Sequence, residues 1–125
     1  MKKIQTAKAP AAIGPYSQGI DAGAFVYTSG QLGVDPATGA LGADVTEQAE
    51  LSLQNIEAIL AEAGLGMGDV VKTLIFLADM NDFAAVNAVY AKHFAADPLP
   101  ARSCVQVAAL PKGGLIEIEA VAVRK

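Results

Sequence analysis

The chain has a single cysteine, Cys104, and a single histidine, His93. One cysteine excludes an intrachain disulfide framework, and one residue of each kind cannot make an ordinary His/Cys metal site. A carboxylate-built magnesium or calcium site needs convergent acids, whereas the aspartates here are scattered among turns and caps. No metal is expected. Basic charge is also scarce: nine Lys and Arg stand against thirteen Asp and Glu, for a net charge of −4. Beyond Met1-Lys2-Lys3 and Arg124-Lys125 there is no basic patch, which argues against nucleic acid as the main partner. No apolar run reaches the roughly 18 residues of a membrane span, and the N-terminus carries no signal-like hydrophobic segment. A soluble, cytoplasmic protein without a membrane partner is expected. A phosphate loop of the GxxxxGK[ST] type and a GxGxxG after a strand are both missing. Gly64-Leu65-Gly66-Met67-Gly68 resembles a glycine loop only superficially, since it follows a helix and precedes a strand. No cofactor is expected.

What is present suits one domain, residues 1–125. With 53% hydrophobic and 18% charged residues the chain is globular, and its apolar content fits a subunit that also buries surface against copies of itself. Short strands are predicted over Lys3 to Thr6, Ser17 to Asp21 and Ala24 to Ser29, followed by a turn at Asp35-Pro36-Ala37-Thr38-Gly39. From about Thr46 to Ala63, Ala49, Leu53, Ile56, Leu60 and Ala63 make one helical stripe, with Asp44 or Thr46 as cap and Gly64 as terminator. Val70 to Ala78 is apolar on both parities and reads as a strand buried on both faces. A second helix, about Asp82 to Ala95, places Phe83, Val86, Tyr90 and Phe94 on one side and ends before Asp97-Pro98. The pattern predicts an α+β fold in which two helices cover one face of a mainly antiparallel sheet.

The last quarter is the most informative. Pro100 to Leu110 and Leu115 to Val123 flank Pro111-Lys112-Gly113-Gly114 and read as a hairpin. If Leu110 opposes Leu115, Val105, Val107 and Ala109 share a core face with Ile116, Ile118, Ala120 and Ala122. The other face then carries Arg102, Cys104 and Gln106 together with Glu117, Glu119, Val121 and Val123. That mixture suits neither a dry core nor a solvated surface. In this register Arg102 and Glu117 lie about 20 Å apart, so a site using both must combine two subunits.

Several segments together carry a family likeness: Ala11-Ala12-Ile13-Gly14-Pro15-Tyr16-Ser17-Gln18-Gly19, Thr28-Ser29-Gly30-Gln31, Asn81 to Asn87, Pro100-Ala101-Arg102-Ser103-Cys104-Val105 and Ile116-Glu117-Ile118-Glu119-Ala120. In order and spacing they resemble the RidA family, also called YjgF, over nearly the whole chain. The resemblance implies a chorismate-mutase-like fold, a homotrimer, and clefts between subunits for small 2-keto or 2-imino acids. It further implies hydrolysis of 2-enamine and 2-imine intermediates released by pyridoxal-phosphate dehydratases, giving a 2-keto acid and ammonia. Arg102 matches the family arginine that clamps the substrate carboxylate, a task suited to its planar fork. Glu117 matches the glutamate that handles the water. Glu119 shares its face, and parity alone does not choose between them. Cys104 matches a pocket cysteine; with His93 near a helix end and no evident base, it reads as lining, not nucleophile. Tyr16 is a candidate for offering its hydroxyl to the imine nitrogen or water. Ser29 and Gly30 end a strand where a hydroxyl and an N–H can face a carboxylate. Asn87 is odd in a packed stripe, which makes it a pocket or interface candidate.

The 94–100 segment looks shorter than the usual connection, and Gly113-Gly114 leaves a flexible turn; both bear on pocket size and hence on the preferred imine. Two other functions compete. A trimeric module could hold 2-keto acids without turnover, and a ribonuclease role is attributed to some family members, against which acidic charge and the lack of a paired His system count.

Overall fold

A computed structural model describes residues 1–125. Seven strands and two helices run in the order β1 (Lys2–Ile4), β2 (Gly19–Asp21), β3 (Phe25–Thr28), β4 (Gln31–Leu32), α1 (Val45–Glu62), β5 (Val70–Leu77), α2 (Phe83–His93), β6 (Ala101–Gln106) and β7 (Ile116–Val123). They build one sheet of order β1-β2-β3-β7-β5-β6, with β4 pairing β7 beyond the end of β3. Both helices lie on one face. The fold is α+β, as the element pattern predicts, and every strand pair is antiparallel except β5 with β6.

α1 starts where Asp44 accepts a hydrogen bond from the Glu47 N–H, while the Glu47 carboxylate accepts one from the Ala43 N–H. It stops at Gly64, whose φ of +78° is the left-handed conformation that glycine adopts freely. Its apolar stripe buries Leu53, Ile56, Ile59 and Leu60 completely, each contributing about 1.5–3 kcal/mol. Beside that stripe runs a second, polar one. Gln48, Ser52 and Asn55 are buried too, and they fasten the chain after β3: Ser52 donates to the Gln31 carbonyl, Asn55 to the Leu32 and Val34 carbonyls, and Gln48 to that of Gly42. Gln48 also accepts from the Leu115 N–H. Buried side chains that satisfy backbone groups in this way hold the short strand β4, which ladders only with β7, and the irregular segment that follows it.

The closing hairpin does not form. β6 and β7 are separated by β5, which pairs with β6 in parallel and with β7 antiparallel. Val70–Leu77 is apolar enough to take an interior place and ladders with both, while residues 107–115 travel over the sheet edge. The face assignment of β6 changes with it. Arg102 lies beside Thr73, which lies beside Ala120, and Cys104 is in line with Ile75 and Ile118. Residues paired across neighbouring strands share a face, so Arg102 and Cys104 project toward the helices, not alongside Glu117. Glu117 is in line with Phe76 and Val105 on the open face. Val105, expected in the core, is 43% exposed there.

β5 departs from expectation in the same sense. Val70, Thr73, Ile75 and Leu77 are buried, whereas Leu74 and Phe76 are only half-covered and Val71 and Lys72 are exposed. Only one helical layer exists within the chain, so only one face is dry. The open face also leaves Phe25 and Tyr27 exposed.

Candidate functional site

The residues singled out from the sequence fall into two clusters on opposite faces of the sheet. On the helix face, Arg102 reaches from edge strand β6 to α2. Its Nη1 donates to Asn87 Oδ1 at 2.8 Å, its Cζ stands 4.8 Å from the centre of the Tyr90 ring and 5.5 Å from that of Phe83. Phe83, Asn87 and Tyr90 are four and three residues apart, which stacks them along one side of a helix. The oddly placed Asn87 is thus explained: it is the residue on that side that can receive an arginine N–H.

No carboxylate lies within ion-pair distance of Arg102. The ion pairs of the chain are His93 with Glu50, Arg124 with Asp21 and Lys125 with Asp69. The other arginine, Arg124, also spends its donors on the carbonyls of Gly23 and Ala63. Of the five N–H groups of Arg102, one is satisfied within the chain. A half-buried guanidinium held in place without a counter-ion is an arrangement that an anionic ligand completes.

Cys104 is half-buried two residues further along the same face. Burial pushes its thiol pKa up, with Arg102 acting weakly in the opposite direction, so the thiolate that attacks electrophiles is disfavoured. His93 cannot activate it, because its Nε2 is 2.7 Å from Glu50 Oε2 and ties α2 to α1.

The second cluster surrounds a cleft of about 230 Å³ lined by Tyr16, Gly30, Leu32, Lys112 and Glu117, among others. The pKa of Glu117 is raised, first by burial and then by repulsion from Glu119 two residues along the strand. Gly30 makes the room for it. A Cβ at that position would stand 2.7 Å from the Glu117 carboxyl carbon. Tyr16 belongs to a loop organised by the buried Gln18, whose Oε1 accepts from the Thr6 N–H at 2.7 Å and whose Nε2 donates to the Thr6 and Pro10 carbonyls at 3.0 and 2.8 Å. Ser29 donates its hydroxyl to the Ser17 carbonyl at 2.6 Å, joining the end of β3 to the same loop. Lys112, at the rim, has a φ of +59°, a conformation that costs a non-glycine residue about 1 kcal/mol or more. A larger hollow of about 800 Å³ between β1 and this loop shares Tyr16 but has no carboxylate in its lining; the smaller cleft holds the titratable chemistry. No group of three His, Cys, Asp or Glu is placed to hold a metal ion.

The two clusters do not meet within the chain. Three residues along the strands and two strand spacings separate the backbones of Arg102 and Glu117, about 14 Å, and the side chains leave opposite faces. That the two cannot meet within one chain agrees with the sequence reading, but the distance is shorter than the expected value of about 20 Å, the faces are opposite, and the cause is the intervening strand β5 and not a hairpin offset. Arg102, Asn87 and Cys104 form one half; Tyr16, Gly30 and Glu117 form the other. Sequence reasoning missed Tyr90 and Thr73 as neighbours of the arginine. The available signal was a lone threonine at the buried parity of an otherwise aliphatic strand.

The chain is a single-sheet α+β domain with an arginine that has no counter-ion on one face and a desolvated carboxylate on the other. A profile of the family described as Endoribonuclease L-PSP matches residues 6–124, and the chain belongs to that family. It is 58% identical over 126 residues to the 2-iminobutanoate/2-iminopropanoate deaminase of Salmonella typhimurium, covering 99% of this chain and 98% of that protein. The crystal structure of Escherichia coli TdcF with bound serine superimposes with a TM-score of 0.96 at 54% identity, covering all of both chains. That of the YjgF gene product of E. coli does so with a TM-score of 0.96 at 55% identity, again over both full chains. The resemblance to RidA and YjgF proteins read from the sequence is borne out.

Proposed function

We propose that the protein hydrolyses small 2-imino acids, and the 2-enamines that tautomerise to them, to 2-keto acids and ammonia. The observation that carries this reading is Arg102: a guanidinium pinned by Asn87, without a counter-ion, presenting a fork that fits a carboxylate. The high identity to a protein named for deamination of 2-iminobutanoate and 2-iminopropanoate supports the same substrate class.

The working unit is a trimer in which β6 of one subunit approaches the cleft of the next, so that Arg102 from one and Glu117 from its neighbour act on one molecule. Arg102 clamps the carboxylate, and Cys104 and Asn87 line that end. Gly30 lines the other end beside Glu117, while the Ser29 hydroxyl, expected to face a carboxylate, is spent on the Ser17 carbonyl. The protonated imine carbon is electrophilic, so positioning and proton transfer suffice. Glu117, with its raised pKa, accepts a proton from water as the oxygen bonds to the imine carbon. It then returns the proton to nitrogen and takes up the one left on the carbinolamine oxygen as the C–N bond breaks, so that ammonia leaves and C=O forms. Tyr16 donates its hydroxyl to the nitrogen or the water. Pyridoxal-phosphate dehydratases, which release enamines by eliminating water from hydroxy amino acids, are the reaction class that supplies such substrates.

The family description names a ribonuclease. In this chain the one histidine is engaged by Glu50 and the one acid lining the cleft, Glu117, repels a phosphodiester, so imine hydrolysis is the better fit.

The test is keto-acid formation from imine generated in situ by a serine or threonine dehydratase, with semicarbazide trapping free imine. Acceleration by wild type and its loss in Arg102→Ala and Glu117→Ala is expected. A folded wild type that binds keto acid without accelerating hydrolysis makes the protein a binding module instead.

A further inference from the structure

We propose that Tyr90, anchored by its hydroxyl to Thr73, is a positioning residue that fixes the plane of the Arg102 guanidinium before an anion arrives. The inference rests on the reading of Arg102 as a carboxylate clamp. A single hydrogen bond from Nη1 to Asn87 fixes one point of the guanidinium without fixing its plane, and the Phe83 ring, 5.5 Å from Cζ, is the more distant of its two aromatic neighbours. The Tyr90 ring, 4.8 Å from Cζ, supplies the missing constraint, since a cation over an aromatic face is held against that face. The ring is itself fixed at both ends. Phe94 packs on it with ring centres 4.5 Å apart, and its Oη lies 2.7 Å from Thr73 Oγ1 in a buried contact. Thr73 is the direct neighbour of Arg102 in the sheet, so the anchor and the group it positions share one rigid frame.

Packing alone does not account for this pair. Thr73 and Tyr90 are 1% and 8% exposed, and taking two hydroxyls out of water costs free energy that their mutual hydrogen bond only offsets. A valine and a phenylalanine would fill the same space without that cost. What the hydroxyls add is a fixed ring position under the arginine. Burial raises the Tyr90 pKa, which keeps the phenol neutral and able to donate.

The test compares Tyr90→Phe/Thr73→Val, Tyr90→Leu, Arg102→Ala and wild type. Binding of 2-oxobutanoate and of its carboxamide is measured by calorimetry, alongside thermal stability and steady-state kinetics on dehydratase-generated imine. The double variant is expected to keep its melting temperature or raise it, yet to bind 2-oxobutanoate roughly 2- to 5-fold more weakly because the ring is no longer fastened. Tyr90→Leu is expected to weaken carboxylate binding about 5- to 30-fold. In both variants KM rises while kcat changes little, as for an interaction made equally in ground and transition states, and the preference for carboxylate over carboxamide shrinks. Binding within about twofold of wild type in the folded double variant and in Tyr90→Leu overturns the proposal, as does equal weakening of both probes. If Arg102→Ala binds 2-oxobutanoate like wild type, the clamp reading fails, and the positioning role with it.

Discussion

Replacing Gly30 by alanine should separate activity from stability. The added Cβ would stand 2.7 Å from both Cδ and Oε1 of Glu117 and 3.0 Å from its Cγ, so the carboxyl must retreat by about 0.7–1 Å to reach ordinary contact. Displacing a reacting group by about 1 Å costs on the order of 100-fold in rate, and that is the loss expected in kcat. Stability should barely change. The atoms struck are the far end of a side chain that can swing, and glycine to alanine narrows the unfolded ensemble by about 0.4–1 kcal/mol where the backbone accepts alanine. Gly33 supplies the contrast. A Cβ there would meet the Cα and carbonyl oxygen of Gln48 at 2.3 Å, backbone atoms of α1 that cannot swing away, so Gly33→Ala should cost at least about 1–3 kcal/mol. The assay is imine hydrolysis under semicarbazide competition, paired with urea unfolding of each variant. The double variant Gly30→Ala/Glu117→Gln should be no slower than Glu117→Gln alone, because both changes disable one carboxylate. A fully active Gly30→Ala, or a double variant slowed further, would refute the placement of Glu117 at the reacting centre.

Three further outcomes are expected. With the Glu117 pKa raised above its ordinary value near 4.5 by burial and then by Glu119, activity that needs the ionised carboxylate should fall as pH drops through that raised value. The stability contribution runs the other way, being present below the ordinary pKa and lost as pH rises through the raised one, so Glu117→Gln should be more stable than wild type at neutral pH; a urea-midpoint difference between the pair that is the same in acid, below the ordinary carboxylate pKa, as at neutral pH would contradict this. Asn55→Leu should cost about 2–4 kcal/mol by leaving the Leu32 and Val34 carbonyls without their donor. Urea unfolding should show that as a midpoint lowered by about 1–2 M, and a loss below about 1 kcal/mol would mean that other donors replace the amide.

The helices were legible because their stripes repeat at helical spacing and their ends carry Asp44 and Gly64, local signals that tertiary contacts did not override. The α+β class followed from them. The order of the last three strands was not legible, since the Pro111-Lys112-Gly113-Gly114 turn is compatible with a hairpin and nothing local announces that β5 will insert between its arms. That misreading placed Arg102 and Cys104 on the wrong face while leaving them correctly noted as unusual strand residues. Asn87 was conspicuous as a polar residue in an apolar stripe. Tyr90 was hidden by the same stripe, because an aromatic at core spacing looks identical whether it fills space or supports an arginine. Gln48, Ser52 and Asn55 escaped notice for a related reason: a polar stripe on a helix reads as its solvent side unless the segment it fastens is known.

The place of β7 has a consequence for the order in which a growing chain acquires its parts. Thr73, Asn87, Tyr90 and Arg102 belong to a contiguous stretch from β5 to β6, and all of them are synthesised before β7. Glu117 sits on β7, which pairs with β3 and β4 on one side and β5 on the other. An unfinished polypeptide therefore already contains every residue of the arginine half, whereas the acid half comes into being only as the strand carrying Glu117 slides into the middle of the sheet. The step that joins the two parts of the sheet is also the step that delivers the carboxylate, so no molecule with an open sheet displays it in its cleft.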